Sequence, residues 1–279
     1  MKIALIQTKQ NELYDFKNSE KYWNRQVAYE KQEQIVKQNI KLLEEAADFG
    51  ADLAVTSEAI NFAGLPTCYK GNYIELIQNT QKTYEEQFQK LAKEKRMAVI
   101  AGMYWVEEVQ GNQRMYNSAL FWDKQGELIG RYDKVHLAGS EKEYLSPGAA
   151  YRVFNTTFGK IGIGICWDMQ FPECARAMAL QGVDLIVCPT WGWEYVYGPS
   201  RAYENGVYVA AAMSVPYGED IHGLRSPSQI IGPEGKILCI GSVSEAGIVM
   251  GDVEIRDCKE FRRLRMSDRK PETYNILCQ

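Results

Sequence analysis

An α/β fold is what three features of this 279-residue sequence predict. Over residues 2–55, and again over 160–188, a short apolar run, a helix-patterned stretch and a second apolar run follow one another, the building unit of an α/β sheet. Between these units, residues 97–132 read as strands joined by tight turns, a β-meander. An apolar content of 46% can fill a large core; the length permits one large domain or two small ones, and no linker decides for two.

The elements follow from local patterns. Residues 2–8 read as the first strand, and 9–26, polar and aromatic by turns (Tyr14, Phe16, Tyr22, Trp23), as an inserted surface loop or short helix. From 29 to 49, Val36, Ile40, Leu43 and Ala47 recur at helical spacing on one face, and Gly50 closes the helix. Residues 52–55 form the next buried strand. Tyr84, Phe88 and Leu91 mark one face of a second helix over 80–95, which covers a sheet. The meander strands are 97–106, 114–122 and 127–132, turned at Gly111-Asn112 and at Lys124-Gln125-Gly126.

Residues 160–165 alternate Ile with Gly, as in a buried strand that lets neighbouring backbone come close. Pro172 and Glu173 open a helix through 175–181 that Gly182 stops, and 184–188 is the strand after it. A helix over 200–205, a strand over 206–213, a loop over 217–228 with Gly218, Gly223 and Pro227, and a hairpin over 230–238 with a Pro-x-Gly turn come next. The last strand is 247–253, and a basic helix covers 255–265.

Composition excludes several function classes. Net charge is −4 with both signs interleaved, so no basic face marks a nucleic acid or an anionic membrane as partner. The first residues are too short an apolar run for a signal peptide, and no stretch of about 18 apolar residues exists, which predicts a soluble cytoplasmic protein. Seven cysteines at irregular positions (68, 166, 174, 188, 239, 258, 278) lack the paired spacing of zinc sites, and two histidines argue against a histidine-rich metal centre. Reduced thiols and no metal are expected.

Chemistry concentrates where the 160–165 strand ends at Cys166. A thiol on a strand-to-helix elbow is held rigidly, and neighbouring amides and cations can stabilise its thiolate. Cys174, in the first turn of the following helix, is a rival for that role, whereas Cys188 ends a strand and reads as packing. The run Trp191-Gly192-Trp193-Glu194-Tyr195-Val196-Tyr197 is rich in aromatics but interrupted by Gly192 and Glu194, so it reads as the wall of a pocket rather than core.

The string Gly164-Ile165-Cys166-Trp167-Asp168-Met169-Gln170-Phe171-Pro172-Glu173, with Arg176, Ala179 and Gly182 beyond it, resembles the nucleophile motif of the nitrilase superfamily of carbon–nitrogen hydrolases. Lys134-Val135-His136-Leu137, followed by Glu141 and by Leu145-Ser146-Pro147-Gly148, is similar to that family's lysine motif. Glu58, which taken alone is a loop carboxylate after a strand, stands where the family has its general base. The resemblance implies a four-layer α-β-β-α sandwich that needs no cofactor. It also implies a single domain over residues 1–279, with 254–279 as a C-terminal helix and tail, and pairing into a homodimer or larger homo-oligomer whose interface that tail is expected to cross.

The same resemblance implies a Glu-Lys-Cys triad of Glu58, Lys134 and Cys166, with Glu141 orienting the lysine or substrate and the Trp167 backbone N–H in the oxyanion hole. His136, Arg201 and Glu204 are expected to be structural. Asp168 after Cys-Trp is similar to the family's amidases and carbamoylases, whereas its true nitrilases carry Glu there. An amide or N-carbamoyl amine, cleaved through a thioester with release of ammonia, is therefore favoured over a nitrile. Met169 and Gln170 replace the arginines that branches taking carboxylate substrates often carry. With Trp191, Trp193 and Tyr195 lining the pocket beside Asp168, Met169 and Gln170, a neutral or cationic substrate with an apolar part is expected. Two departures, Ser57 where the family normally has Pro and Arg225-Ser226-Pro227-Ser228 in place of a Gly-Gly-Ser-like run, leave a non-catalytic scaffold as the alternative.

Overall fold

The computed structural model describes residues 1–14, 25–62, 64, 73–217, 225–255 and 258–278. In chain order its strands are β1 (Lys2–Gln7), β2 (Leu53–Thr56), β3 (Ala98–Val109), β4 (Asn112–Trp122), β5 (Leu128–Asp133), β6 (Val153–Thr156), β7 (Gly159–Ile163), β8 (Leu185–Thr190), β9 (Tyr208–Met213), β10 (Gln229–Ile231), β11 (Ile237–Ile240) and β12 (Gly247–Asp252). They form two six-stranded sheets, ordered β12-β1-β2-β3-β4-β5 and β11-β10-β9-β8-β7-β6. The helices are α1 (Arg25–Asp48), α2 (Tyr73–Lys95), α3 (Pro172–Leu180), α4 (Tyr197–Asn205) and α5 (Cys258–Ser267).

Side-chain alternation along the strands builds the layers. Ile3, Leu5, Leu53 and Val55 of the first sheet face Ile161, Ile163, Leu185, Val187 and Ala210 of the second in one central core. The intervening residues Ala4, Ile6, Ala54 and Val99 point outward and meet Val36 and Leu43 of α1 and Phe88 and Leu91 of α2. On the far side, Ile186, Cys188 and Val209 meet Cys174 and Met178 of α3 and Ala202 of α4. The result is the expected α-β-β-α sandwich, and β12 brings the chain back to pair antiparallel with β1.

Several bounds differ from the sequence expectation for physical reasons. The second helix begins a full two turns earlier than residue 80, because Leu76 and Ile77 add a buried surface. The four-residue edge strand β6 was not legible: one side chain, Phe154, is buried, and Asn155 faces out. Positions 15–24 of the predicted insertion, Cys68, and residues 218–224 of the 217–228 loop lie outside the described residues. Among the described residues no helix is long and apolar enough to cross a membrane, and no group of three metal-ligating side chains gathers.

Candidate active site

Four chain segments converge at the ends of the strands where α/β sheets gather their chemistry. Glu58 follows β2 and Lys134 follows β5 in the first sheet, while the Cys166 turn and the Thr190–Gly192 turn follow β7 and β8 in the second. Gly102 of β3 makes room for the first of these, since a Cβ there would lie 2.5 Å from the Ser57 carbonyl and 3.0 Å from the Glu58 Cα. Ser57 itself is buried, its hydroxyl 3.4 Å from that of Thr8. The departure from Pro at this position leaves the carboxylate seated.

Glu58 is 2% exposed and Lys134 1%, yet neither is an unsatisfied charge. Lys134 Nζ donates to Glu58 Oε1 at 2.8 Å and to Glu141 Oε1 at 3.0 Å, with Glu141 Oε2 at 2.9 Å. Glu141 is held in turn by the Ala138 backbone N–H, 2.7 Å from Oε2. The Trp191 backbone N–H donates to Glu58 Oε2 at 2.9 Å, and the indole N–H of the same residue donates to the Glu58 carbonyl at 2.7 Å. Buried charges survive only when paired and hydrogen-bonded in this way.

Cys166 opens a 3₁₀ turn, Cys166–Gln170, that leads directly into α3. Its φ of 46° is left-handed, a strained backbone for a residue with a Cβ. The thiol donates to the Gly192 carbonyl at 3.8 Å, and Thr190, whose hydroxyl donates to the same carbonyl at 2.8 Å, holds that turn in shape. Burial and then the negative charge of Glu58 push the thiol up to about 11, against the opposing pull of Lys134 and a hydrogen bond from Thr190. Burial alone would lower Lys134, but the charges of Glu58, Cys166 and Glu141 outweigh it and keep the ammonium well above its ordinary value. Burial raises Glu141, Lys134 opposes the rise, and Glu58 adds to it. The carboxylate, ammonium and thiol thus share one electrostatic site, while Cys174 and Cys188 are fully buried in the outer core, and neither bonds a lysine among the described residues.

Three residues expected to line a pocket are placed otherwise. Trp193 is fully buried in the outer core, its indole N–H donating to Gln229 Oε1 at 3.3 Å. Met169 packs in the same core. Asp168 is also fully buried and serves as a tie between the sheets: it accepts from the Tyr132 hydroxyl at 2.7 Å, the His136 backbone at 2.8 Å, His136 Nδ1 at 3.1 Å and the Ile165 backbone at 2.9 Å. Tyr132 and His136 flank Lys134, and Ile165 precedes Cys166, so this carboxylate fixes the ammonium loop against the thiol elbow. His136 also stacks on Phe171 at 4.0 Å.

Trp167 (39% exposed), Tyr195 and Gln170 keep open surface. The Tyr197 hydroxyl donates to Gln170 Oε1 and, at 3.0 Å, to Glu194 Oε1. Arg201 is structural, bonded to the Met169 and Gln170 carbonyls and to Glu204. One further side chain of this cluster has no signal in the sequence. Asn117 of β4 donates to Glu58 Oε1 at 2.7 Å and to Glu141 Oε1 at 3.1 Å, and its backbone carbonyl accepts from Lys134 N at 2.8 Å. Only its register beside Lys134 could have pointed to it.

The profile of the carbon–nitrogen hydrolase family matches residues 2–263. A probable nitrilase of Schizosaccharomyces pombe is 36% identical over 197 residues, 67% of this chain and 71% of that protein. The N-carbamoylputrescine amidase of Oryza sativa subsp. japonica is 30% identical over 270 residues (85% and 87%), and the omega-amidase of Homo sapiens 32% over 240 residues (79% and 83%). Among solved structures, a carbon–nitrogen hydrolase from Helicobacter pylori superposes with a TM-score of 0.80 at 22% identity, covering 99% of this chain and 97% of that one. At that identity the likeness is one of fold.

Proposed function

The chain belongs to the carbon–nitrogen hydrolase family, an enzyme class that cleaves C–N bonds other than peptide bonds, and we propose that it hydrolyses an amide or N-carbamoyl amine through a thioester on Cys166. The observation that carries this reading is the Lys134 ammonium held between Glu58 and Glu141, with a thiol on a strained elbow that feels both charges.

Two carboxylates and one ammonium leave the cluster with a net negative charge, so a free thiolate is disfavoured at rest. Transfer of the thiol proton to Glu58 as sulfur attacks keeps that net charge constant, which is how a thiol pushed up to about 11 can act near neutral pH. The carbonyl oxygen takes up the displaced electron pair. Lys134 has three N–H bonds and spends two on carboxylates; the third, with the Trp167 backbone N–H, stabilises the oxyanion. One such donor is typically worth roughly 2.7–4 kcal/mol. Glu58 then returns the proton to the leaving nitrogen, and the same carboxylate activates water against the thioester. General acid–base work of this kind contributes about 10²–10⁴-fold.

Gln170 and Glu194, gathered on the Tyr197 hydroxyl, support a substrate whose remote end is neutral or an amine. The charge of Cys166 adds, after burial and Glu194, to the upward push on Tyr197, which supports this group as a neighbour of the reacting atom. A panel of primary amides, N-carbamoyl amines and nitriles, assayed for released ammonia with intact-mass detection of an acyl-enzyme, tests the reading. Turnover retained by Cys166→Ala would end it, and a KM for a carbamoylated diamine unchanged in Glu194→Gln would end the amine preference.

A further inference from the structure

Glu58 presents two oxygens in different circumstances. Oε1 accepts from Lys134 Nζ at 2.8 Å and from Asn117 Nδ2 at 2.7 Å, which occupies both of its in-plane lone pairs. Oε2 accepts only the Trp191 backbone N–H, at 2.9 Å, among the described residues, and so keeps one lone pair open. The Asn117 amide is oriented without ambiguity: flipping it would set its oxygen against two carboxylates, and in the observed orientation both N–H bonds are used, one on Glu58 and one on Glu141. Its own oxygen is buried without a partner among the described residues.

From these contacts we infer that Asn117 is a positioning residue that seals Oε1 of Glu58 and reserves Oε2 as the oxygen that takes the thiol proton and returns it to the leaving nitrogen. The inference rests on the thioester reading above. In the first step the S–H bond breaks, an O–H bond forms at Oε2, sulfur bonds to the carbonyl carbon, and the carbonyl electron pair moves to oxygen. In the second that O–H bond breaks as the nitrogen is protonated, the pair on oxygen returns to remake the carbonyl, and the C–N bond cleaves with its pair leaving on nitrogen, so proton and electron pairs balance within the site. Asn117 also supplies one donor to each of two neighbouring anions, which lets both remain ionised beside one ammonium.

The other titratable groups facing this pair are Lys134, Cys166 and Cys188, with Tyr104 of β3 and Tyr144 on the phenol side. None of them supplies the carboxylates with the amide's two donors. Removing those donors favours proton uptake by the carboxylate pair, so the acid limb of the rate profile moves to higher pH.

The test is the pH dependence of kcat and kcat/KM for Asn117→Leu, nearly isosteric but without donors, and for Asn117→Asp, which adds a like charge. The acid limb of kcat/KM is expected to move up by about one pH unit in the first and further in the second, with kcat down by about 10–100-fold and KM within about threefold. A lowered plateau with an unmoved limb in both variants, or unchanged kinetics, overturns the inference. Should Asn117→Leu fail to fold, Asn117→Asp and a third variant, Asn117→Ser, carry the same comparison, checked by circular dichroism. Cys166→Ala separates the two levels: an active Cys166→Ala removes the thioester reading itself, whereas an inactive one beside an unmoved limb removes only the role given to Asn117.

Discussion

Replacing Asp168 by Asn tests whether one buried carboxylate holds the two halves of the site together. Its oxygens accept four donors, two from His136, one from Tyr132 and one from Ile165, at 2.7–3.1 Å. A carboxamide keeps one accepting oxygen and turns an N–H₂ group toward the other pair of donors, so two bonds are lost. Hydrogen bonds to a charged group contribute about 1.5–3 kcal/mol each, which gives about 3–6 kcal/mol, less whatever is regained by no longer burying an anion. For a chain of this size each kcal/mol moves Tm by about 2–4 °C, so thermal unfolding followed by circular dichroism should show a fall of about 10 °C. Because the loosened segments carry Lys134 and Cys166, kcat below the new Tm should fall by about 10²-fold, the usual cost of a misplacement near 1 Å. A variant within 2 °C, a margin of about 1 kcal/mol, and within threefold in kcat would refute the tie.

Three further outcomes follow from the same geometry. Glu58→Gln removes the charge that, after burial, holds the Cys166 thiol up, so its alkylation by iodoacetamide at pH 8 should accelerate by about tenfold while turnover is lost; a slower reaction would contradict the electrostatics. Gly148→Ala would place a Cβ 2.1 Å from the Asp133 carbonyl, and Gly148 N donates to the Lys134 carbonyl at 2.8 Å, so activity should drop by about 10²-fold through displacement of the ammonium; full activity would show that the segment yields freely. Burial and the charge of Glu58 push the Cys166 thiol up to about 11 in the fold from an ordinary 9.0, so below pH 9 its contribution to stability is complete and it is lost as pH rises toward 11. Denaturation of wild type and Cys166→Ser should therefore converge by about 2 kcal/mol across that window, and parallel curves would oppose the assignment.

Much of the fold was legible because alternation has a period of two: Ile3 and Leu5 face the centre while Ala4 and Ile6 face α1 and α2. The elbow was legible for a different reason, since Gly-Ile-Cys followed by Pro-Glu fixes a strand end and a helix start within a few residues. Aromatic richness misled at Trp193, whose neighbour Trp191 grips Glu58 while Trp193 itself faces the core. Asp168 read as a substrate contact because its three partner residues, Tyr132, His136 and Ile165, come from both sheets, and pairing across sheets leaves no trace in local pattern. Asn117 was hidden in the same way. It is a single polar residue inside a buried strand, and its meaning depends on which carboxylates the tertiary fold brings against it.

The left-handed backbone at Cys166 has one more consequence. Any residue with a Cβ is strained there by about 1–2 kcal/mol, and glycine alone is at ease. A Cys166→Gly chain should thus melt above its parent while having no sulfur to react, whereas Cys166→Ala stays under the same tension. Glycine is the better choice for a dead-end variant that captures an intact amide in the groove for crystallography, and its gain in robustness would measure what reactivity takes from the scaffold.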